Sequence, residues 1–159
     1  MHQPFYDRHG KEFLLPEGET VHWRPSVYGY LNVDGKTLMI KDGRDAKVWE
    51  FPGGGINEDE TIVEALKREY QEETGYKVRP VGDAPIWVIC RNFYSKGYGK
   101  YFRSLLMLYR VELVDDARSL LPTNEVDSEE EISAMEWVPD AELSVANCHL
   151  MWKEFLESR

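Results

Sequence analysis

The chain has 159 residues, 42% of them hydrophobic, and a formal net charge of −10; this fits one domain, spanning 1–159, with a core of its own. It holds no apolar run near the roughly 20 residues that span a bilayer. Acidity on this scale argues against nucleic-acid binding driven by basic surface, but a small phosphorylated ligand stays open wherever a metal ion or local cations mediate the contact.

The N-terminus, "MHQPFYDRHG", has neither the basic start nor the apolar core of a secretory signal. Residues 1–24 read as an irregular lead-in with turn signals at Gly10, Pro16 and Gly18. "VYGYLNV" and "KTLMIKD" then flank Asp34-Gly35, a two-residue hairpin signal. "KVWEFPGGGI" reads as a strand entering a glycine-rich turn, where glycine lets backbone approach a ligand closely. Residues 61–74 read as a helix. Thr61 and Glu64 form a capping box at its start, and Gly75 stands where a left-handed C-terminal cap belongs.

"PIWVICRNFY" and "KYFRSLLMLYRVEL" read as strands joined at "SKGYG", residues 115–131 as an acidic loop, and "AMEWV" as a short strand. "ANCHLMWKEFLESR" places Cys148, Met151, Trp152 and Phe155 on one stripe of an amphipathic helix. Helices interleaved with hairpins predict an α/β fold with a mixed sheet. The two cysteines, Cys90 and Cys148, lie far apart, which suits a reducing cytoplasm better than a disulfide framework.

The helix breaks its own pattern. Its apolar face begins with Ile62, Ala65 and Leu66 and continues by helical period onto Glu69, Glu72 and Glu73. Three carboxylates near a helix C-terminus oppose the dipole. Directed into a cleft, they repel one another unless a cation is present. A hard divalent ion such as magnesium, which prefers oxygen ligands, answers both objections; no Cys/His cluster favours zinc.

From Gly54 the chain reads five residues, Glu60, seven residues, Arg68-Glu69, Tyr70, Gln71, Glu72-Glu73, Thr74, Gly75, Tyr76. This resembles the signature of the Nudix hydrolases at all seven fixed positions, with Tyr70 and Tyr76 in place of aliphatic residues and Asp59 where glycine is frequent. "WEFPGG" and "EISAMEWVPDAEL" extend the likeness over most of residues 26–143.

The resemblance implies an α/β/α sandwich, a mixed β-sheet packed between helices. It implies hydrolysis of a phosphoanhydride bond in a nucleoside diphosphate linked to another moiety, with Mg2+ or Mn2+. Carried over by position, Glu69, Glu72 and Glu73 are the metal ligands, joined by the carbonyl of Gly53. Glu69 or a loop glutamate activates water; of Glu129, Glu130 and Glu131, Glu131 aligns best. Arg68 and Glu60 support these carboxylates.

A basic and aromatic set, Arg91, Lys96, Lys100 and Arg103 with Tyr94, surrounds the "NFYSKGYGKYFR" hairpin and is expected to hold phosphates and stack a base; an ordinary solvated hairpin is the alternative. Asn147 either reads the base or caps a helix. The substrate is a small nucleotide of open identity. A nucleotide pyrophosphohydrolase leads, a dinucleoside polyphosphate or ADP-ribose/NDP-sugar hydrolase follows, and a non-catalytic nucleotide-binding module is the reading from another class. A homodimer is compatible with all three.

Overall fold

Strands β3 (Val21–Tyr30) and β9 (Lys100–Arg118) run side by side in parallel through the middle of the molecule, in register from Val21 opposite Tyr101 to Tyr30 opposite Arg110. They belong to a computed structural model that describes residues 3–43, 47–118 and 132–159. Apolar side chains leave β9 on both faces: Leu108 enters one core, while Met107 and Tyr109 enter another. That two-residue alternation is what a strand buried on both sides requires.

Around this pair the larger sheet runs β2 (Glu12–Phe13), β1 (Phe5–Tyr6), β8 (Trp87–Ser95), β9, β3, β6 (Gly53–Gly55), with β7 (Tyr76–Pro80) paired to the far part of β9. A three-stranded antiparallel sheet is made of β10 (Ile132–Pro139), β5 (Lys36–Asp42) and β4 (Asn32–Val33). Helix α1 (Ile62–Thr74) closes the core of Val27, Leu31 and Leu38, and the C-terminal segment closes that of Met39, Phe51 and Leu108. The expected mixed sheet flanked by helical segments is the architecture found. No helix among the described residues is long and apolar enough to cross a membrane.

Four local expectations change. The lead-in is not irregular throughout: β1 and β2 form an antiparallel arm, and β1 lies parallel on β8 with Tyr6 opposite Phe93. Two-residue strands carry too little alternation to be read, and this arm is held by distant β8. Second, Asp34 and Gly35 make the hairpin turn with φ of 51° and 78°, but the long strand before it is divided. β3 stays in the large sheet and β4 joins β5, with buried Leu31 between them. Third, the triple glycine is itself a strand, antiparallel to β3. A Cβ on Gly53 (φ +150°) would meet the Val27 carbonyl oxygen at 2.2 Å, so this close pairing requires glycine.

The fourth concerns the C-terminus. Helix α2 covers only Lys153–Glu157, preceded by a 3-10 turn at Leu150–Trp152. Before it, residues 145–147 form a turn and Cys148 bridges to Trp49: the Trp49 N–H donates to the Asn147 carbonyl at 2.8 Å and the His149 N–H to the Trp49 carbonyl at 2.9 Å. Cys148, Trp152 and Phe155 are nonetheless buried together, as their spacing predicts. Strand β10 contains "AMEWV" and exceeds it at both ends, and β9 runs on to Arg118. Glu129, Glu130 and Glu131 lie outside the described residues.

Candidate active site

Helix α1 has the ends its sequence encodes. Thr61 accepts the Glu64 N–H at 3.2 Å, Glu64 accepts the Thr61 N–H at 2.8 Å, and Gly75 adopts a left-handed φ of 75°. Its buried stripe is Ala65, Leu66, Tyr70 and Thr74, and Ile62 is 37% exposed. The apolar face is therefore rotated from the expected one. Glu69 and Glu73 flank the core-facing stripe at the edge of a cleft, and Glu72 is exposed. Tyr70 turns inward because Gly29 makes room: a Cβ there would stand 2.6 Å from the Tyr70 ring.

Arg68 organises the carboxylates. Nη1 donates to Glu69 at 2.7 Å and to Glu72 at 3.2 Å. Nη2 donates to Glu60 at 2.9 Å and to the Gly55 carbonyl at 3.1 Å, and Nε donates to the second oxygen of Glu60. The Arg68 hydrogen bonds, helped by the Asn57 N–H, hold the Glu60 carboxyl down at about 2. One guanidinium fork thus ties the start of the motif to its end. Glu73 is fixed separately, accepting the Gly53 N–H at 2.8 Å.

The cleft, about 130 Å³, is bounded by β6, Glu69 and Glu73 on one side. Tyr28, Ser104 and Leu106 line it from the sheet, and Glu50 and His149 from the C-terminal side. Burial pushes the Tyr28 hydroxyl well above its usual range; Arg24 opposes this, and the charges of Glu50, Glu73 and Glu69 reinforce it. Two acids of α1 and Glu50, from the stretch before β6, therefore act on one ring.

His149 is buried, and desolvation, with Arg8 and His9 nearby, pushes it down to about 3. It is neutral at ordinary pH. Its Nδ1 accepts the Met151 N–H at 3.2 Å, which assigns the proton to Nε2, 3.6 Å from Glu50 Oε1.

Sequence reasoning missed Glu50, His149, Arg8, Arg24 and Asp42, all of which line the cleft. Glu50 carried a faint signal, a charge between Trp49 and Phe51 just ahead of the glycines. The others carried none, since they come from distant segments.

The expected substrate-holding set is not brought together with the glutamates: none of Arg91, Lys100, Arg103, Tyr94 and Asn147 lines this cleft. Strand alternation decides most of it. Phe93, Ser95, Ser104 and Leu106 enter the cleft, while Tyr94 and Arg103 take the other face. Tyr94 packs on Phe13 and Tyr101 at ring separations of 4.3 and 4.7 Å. Arg103 donates to Asn92 at 3.3 Å. Arg91 is paired with Glu154, and Lys100 is exposed at the hairpin end. Asn147 closes a turn, accepting the Ser144 N–H and donating to the Glu142 carbonyl, both at 2.8 Å.

The donors at the motif are carboxylate and backbone oxygens, which fit a hard divalent ion in kind. Gly54 lacks the Cβ that would displace Glu69. Among the described residues no three acidic, imidazole or thiol side chains already stand grouped to hold an ion. Glu69 and Glu72 are instead gathered on Arg68.

Comparison with known proteins places this geometry. A family model described as the NUDIX domain matches residues 22–155. The chain is 51% identical over 78 residues to an RNA pyrophosphohydrolase of Xanthomonas campestris pv. campestris strain B100, covering 42% of this chain and 34% of that protein. It is 44% identical over 72 residues to one of Stenotrophomonas maltophilia strain K279a, covering 38% and 34%. The matched part spans about a third of the length of these relatives. Among solved structures, the MutT protein of Methanosarcina mazei Go1 superimposes with a TM-score of 0.62 at 19% identity, over 87% of this chain and 93% of that one. An ADP-ribose pyrophosphatase of Streptococcus suis 89-1591 gives 0.51 at 14% identity, over 76% of each chain.

Proposed function

We propose, from the premise that this chain belongs to the NUDIX family, that it is a divalent-metal-dependent nucleotide pyrophosphohydrolase. The observation that carries the reading is the Arg68 fork, which gathers Glu60, Glu69 and Glu72 beside a cleft that Glu69 and Glu73 line. An ion held by Glu69, Glu72, Glu73 and the Gly53 carbonyl, Mg2+ or Mn2+, would neutralise phosphate charge and stabilise the leaving group.

The chain's own residues supply the rest. Arg68 holds Glu60, Glu69 and Glu72 oriented before any ligand arrives. Gly53 steadies Glu73 through its N–H. Glu69 and Glu131 are the groups proposed to take the proton of the attacking water. Glu50 joins them, because it borders the same cleft with neutral His149 behind it. Arg24 supplies positive charge for phosphate. Cys90, exposed, and Cys148, buried, are free thiols, as a reducing cytoplasm would keep them.

The RNA pyrophosphohydrolase relatives favour a second reading, in which the nucleotide is the phosphorylated 5′ end of an RNA. The net charge of −10 weighs against broad contact with an RNA body.

One panel tests both readings. Nucleoside triphosphates, dinucleoside polyphosphates, ADP-ribose, NDP-sugars and a 5′-triphosphorylated RNA oligomer are incubated with Mg2+ or Mn2+ and the products identified. Release of phosphate, pyrophosphate or a nucleoside monophosphate only with metal supports the enzyme. Binding without turnover across the panel would replace it with a non-catalytic nucleotide-binding module.

A further inference from the structure

The NUDIX match begins at residue 22, yet part of the cleft wall comes from the arm before it. The turn between β1 and β2 is pinned from several sides. Asp7 Oδ1 accepts the N–H groups of His9 and Lys11, both at 2.9 Å, and Lys96 stands 2.7 Å from Oδ2. The Asp7 N–H donates to the Lys11 carbonyl and the Gly10 N–H to the Asp7 carbonyl, each at 3.0 Å. The Leu150 N–H reaches the Arg8 carbonyl at 3.4 Å. Arg8 is thereby fixed at its backbone. Its side chain, 20% exposed, lies where the cleft meets a neighbouring cavity of about 200 Å³ that His9, Tyr94 and Lys96 also line.

There the guanidinium is half used. Nη2 pairs with Asp42 at 3.1 Å, while Nη1 is buried with no hydrogen-bond partner among the described residues. An unsatisfied buried donor carries a penalty that a bound acceptor removes. An arginine fork with one edge on a carboxylate offers the remainder to a second anion. Among the described residues lining the cleft, Arg8 and Arg24 are the cations, against Asp42, Glu50, Glu69 and Glu73.

We propose that Arg8 is a substrate-binding residue: its guanidinium receives a phosphate of the substrate beyond the one next to the α1 glutamates. The N-terminal arm thus makes the cleft select a chain of three or more phosphates over a diphosphate capped by a neutral group. This rests on the phosphoanhydride reading above and adds a residue from outside the family-matched region.

Calorimetric binding of inorganic tripolyphosphate, with pyrophosphate as comparator and Mg2+ present, tests it on the full chain. Arg8→Ala weakens tripolyphosphate binding on the order of tenfold to a hundredfold and pyrophosphate binding by less. Asp42→Asn frees the guanidinium without removing it, so tripolyphosphate affinity stays within about threefold of the parent. Equal loss in both variants, or none in Arg8→Ala, overturns the assignment and leaves Arg8 a brace for Asp42. Should Arg8→Ala fail to fold, Arg8→Lys keeps the charge and loses the fork; undiminished binding there overturns the proposal, and an intermediate loss supports it. A parent protein that binds neither polyphosphate overturns the phosphate-cleft reading as well, so the two failures are distinguishable.

Discussion

Glu69 rests its carboxylate on the bare α-carbon of Gly54: a Cβ at Gly54 would stand 2.7 Å from both Cδ and Oε2 of Glu69. The glycine that opens the motif and the glutamate fifteen residues later are thus one packing unit. Gly54 does not have a positive φ, so alanine there is opposed by Glu69 rather than by the backbone. A glutamate end is flexible and swings away at little cost to the fold. Gly54→Ala should therefore cut kcat/KM on the order of a hundredfold through the displaced carboxylate, while Tm falls by no more than a few degrees. A melt and a rate measured on the same preparation separate this from general damage.

Gly29 behaves in the opposite way. Its missing Cβ is filled by the fully buried ring of Tyr70, at 2.6 Å, with Val111 at 3.2 Å behind it. Neither side chain has space to retreat. Gly29→Ala should destabilise by about 1–3 kcal/mol through overpacking, lowering Tm by roughly 2–4 °C for each kcal/mol. The Tyr70 hydroxyl is buried without a hydrogen-bond partner among the described residues, so Tyr70→Phe should be neutral or slightly stabilising. A substantial loss of Tm in Tyr70→Phe would show that the hydroxyl has a partner.

Glu73→Gln keeps the shape of the side chain and an acceptor for the Gly53 N–H but removes the charge proposed to hold a metal. Turnover should fall at least about a hundredfold with the circular-dichroism spectrum unchanged. Chelation of the parent protein with EDTA should abolish activity reversibly. Near-parent activity in Glu73→Gln would remove that residue from the metal set.

His149 predicts a pH dependence of stability. Burial holds it at about 3 in the folded protein, against about 6.5 when unfolded. Between these values the unfolded chain binds more protons, so stability rises with pH. The contribution is complete above about 6.5 and is lost as pH falls toward 3. Denaturant melts of the parent should therefore weaken from pH 7 to pH 4. His149→Asn should flatten that slope whatever it does to absolute stability. Glu60 adds a separate loss at lower pH, because its folded value near 2 lies below the ordinary 4.5 and its advantage fades across that interval. An unchanged slope in His149→Asn would mean that the histidine is hydrated in solution.

The motif helix was legible because its determinants are neighbours in the chain. The capping box spans Thr61 and Glu64, the C-terminal cap is Gly75, and the acidic face follows from a fixed rotation per residue. Asp34-Gly35 was legible for the same reason: two positive φ angles suit that pair, and the turn is closed locally. The helix's true buried stripe was not, because it depends on Gly29 accepting Tyr70, a contact forty-one residues apart in sequence.

The chain alone therefore determined the carboxylate set, its glycine partner and the family to which both belong. It carries these in short-range spacing, and backbone geometry reads spacing directly. The tertiary structure alone decided what faces that set. Strand pairing brings residues 8, 24, 50 and 149 to one cleft, and the alternation along β8 and β9 turns Tyr94 and Arg103 away from it. A strand sends successive side chains to opposite sides, so which side meets the cleft is settled only when β1, β3 and β8 have taken their places in the sheet.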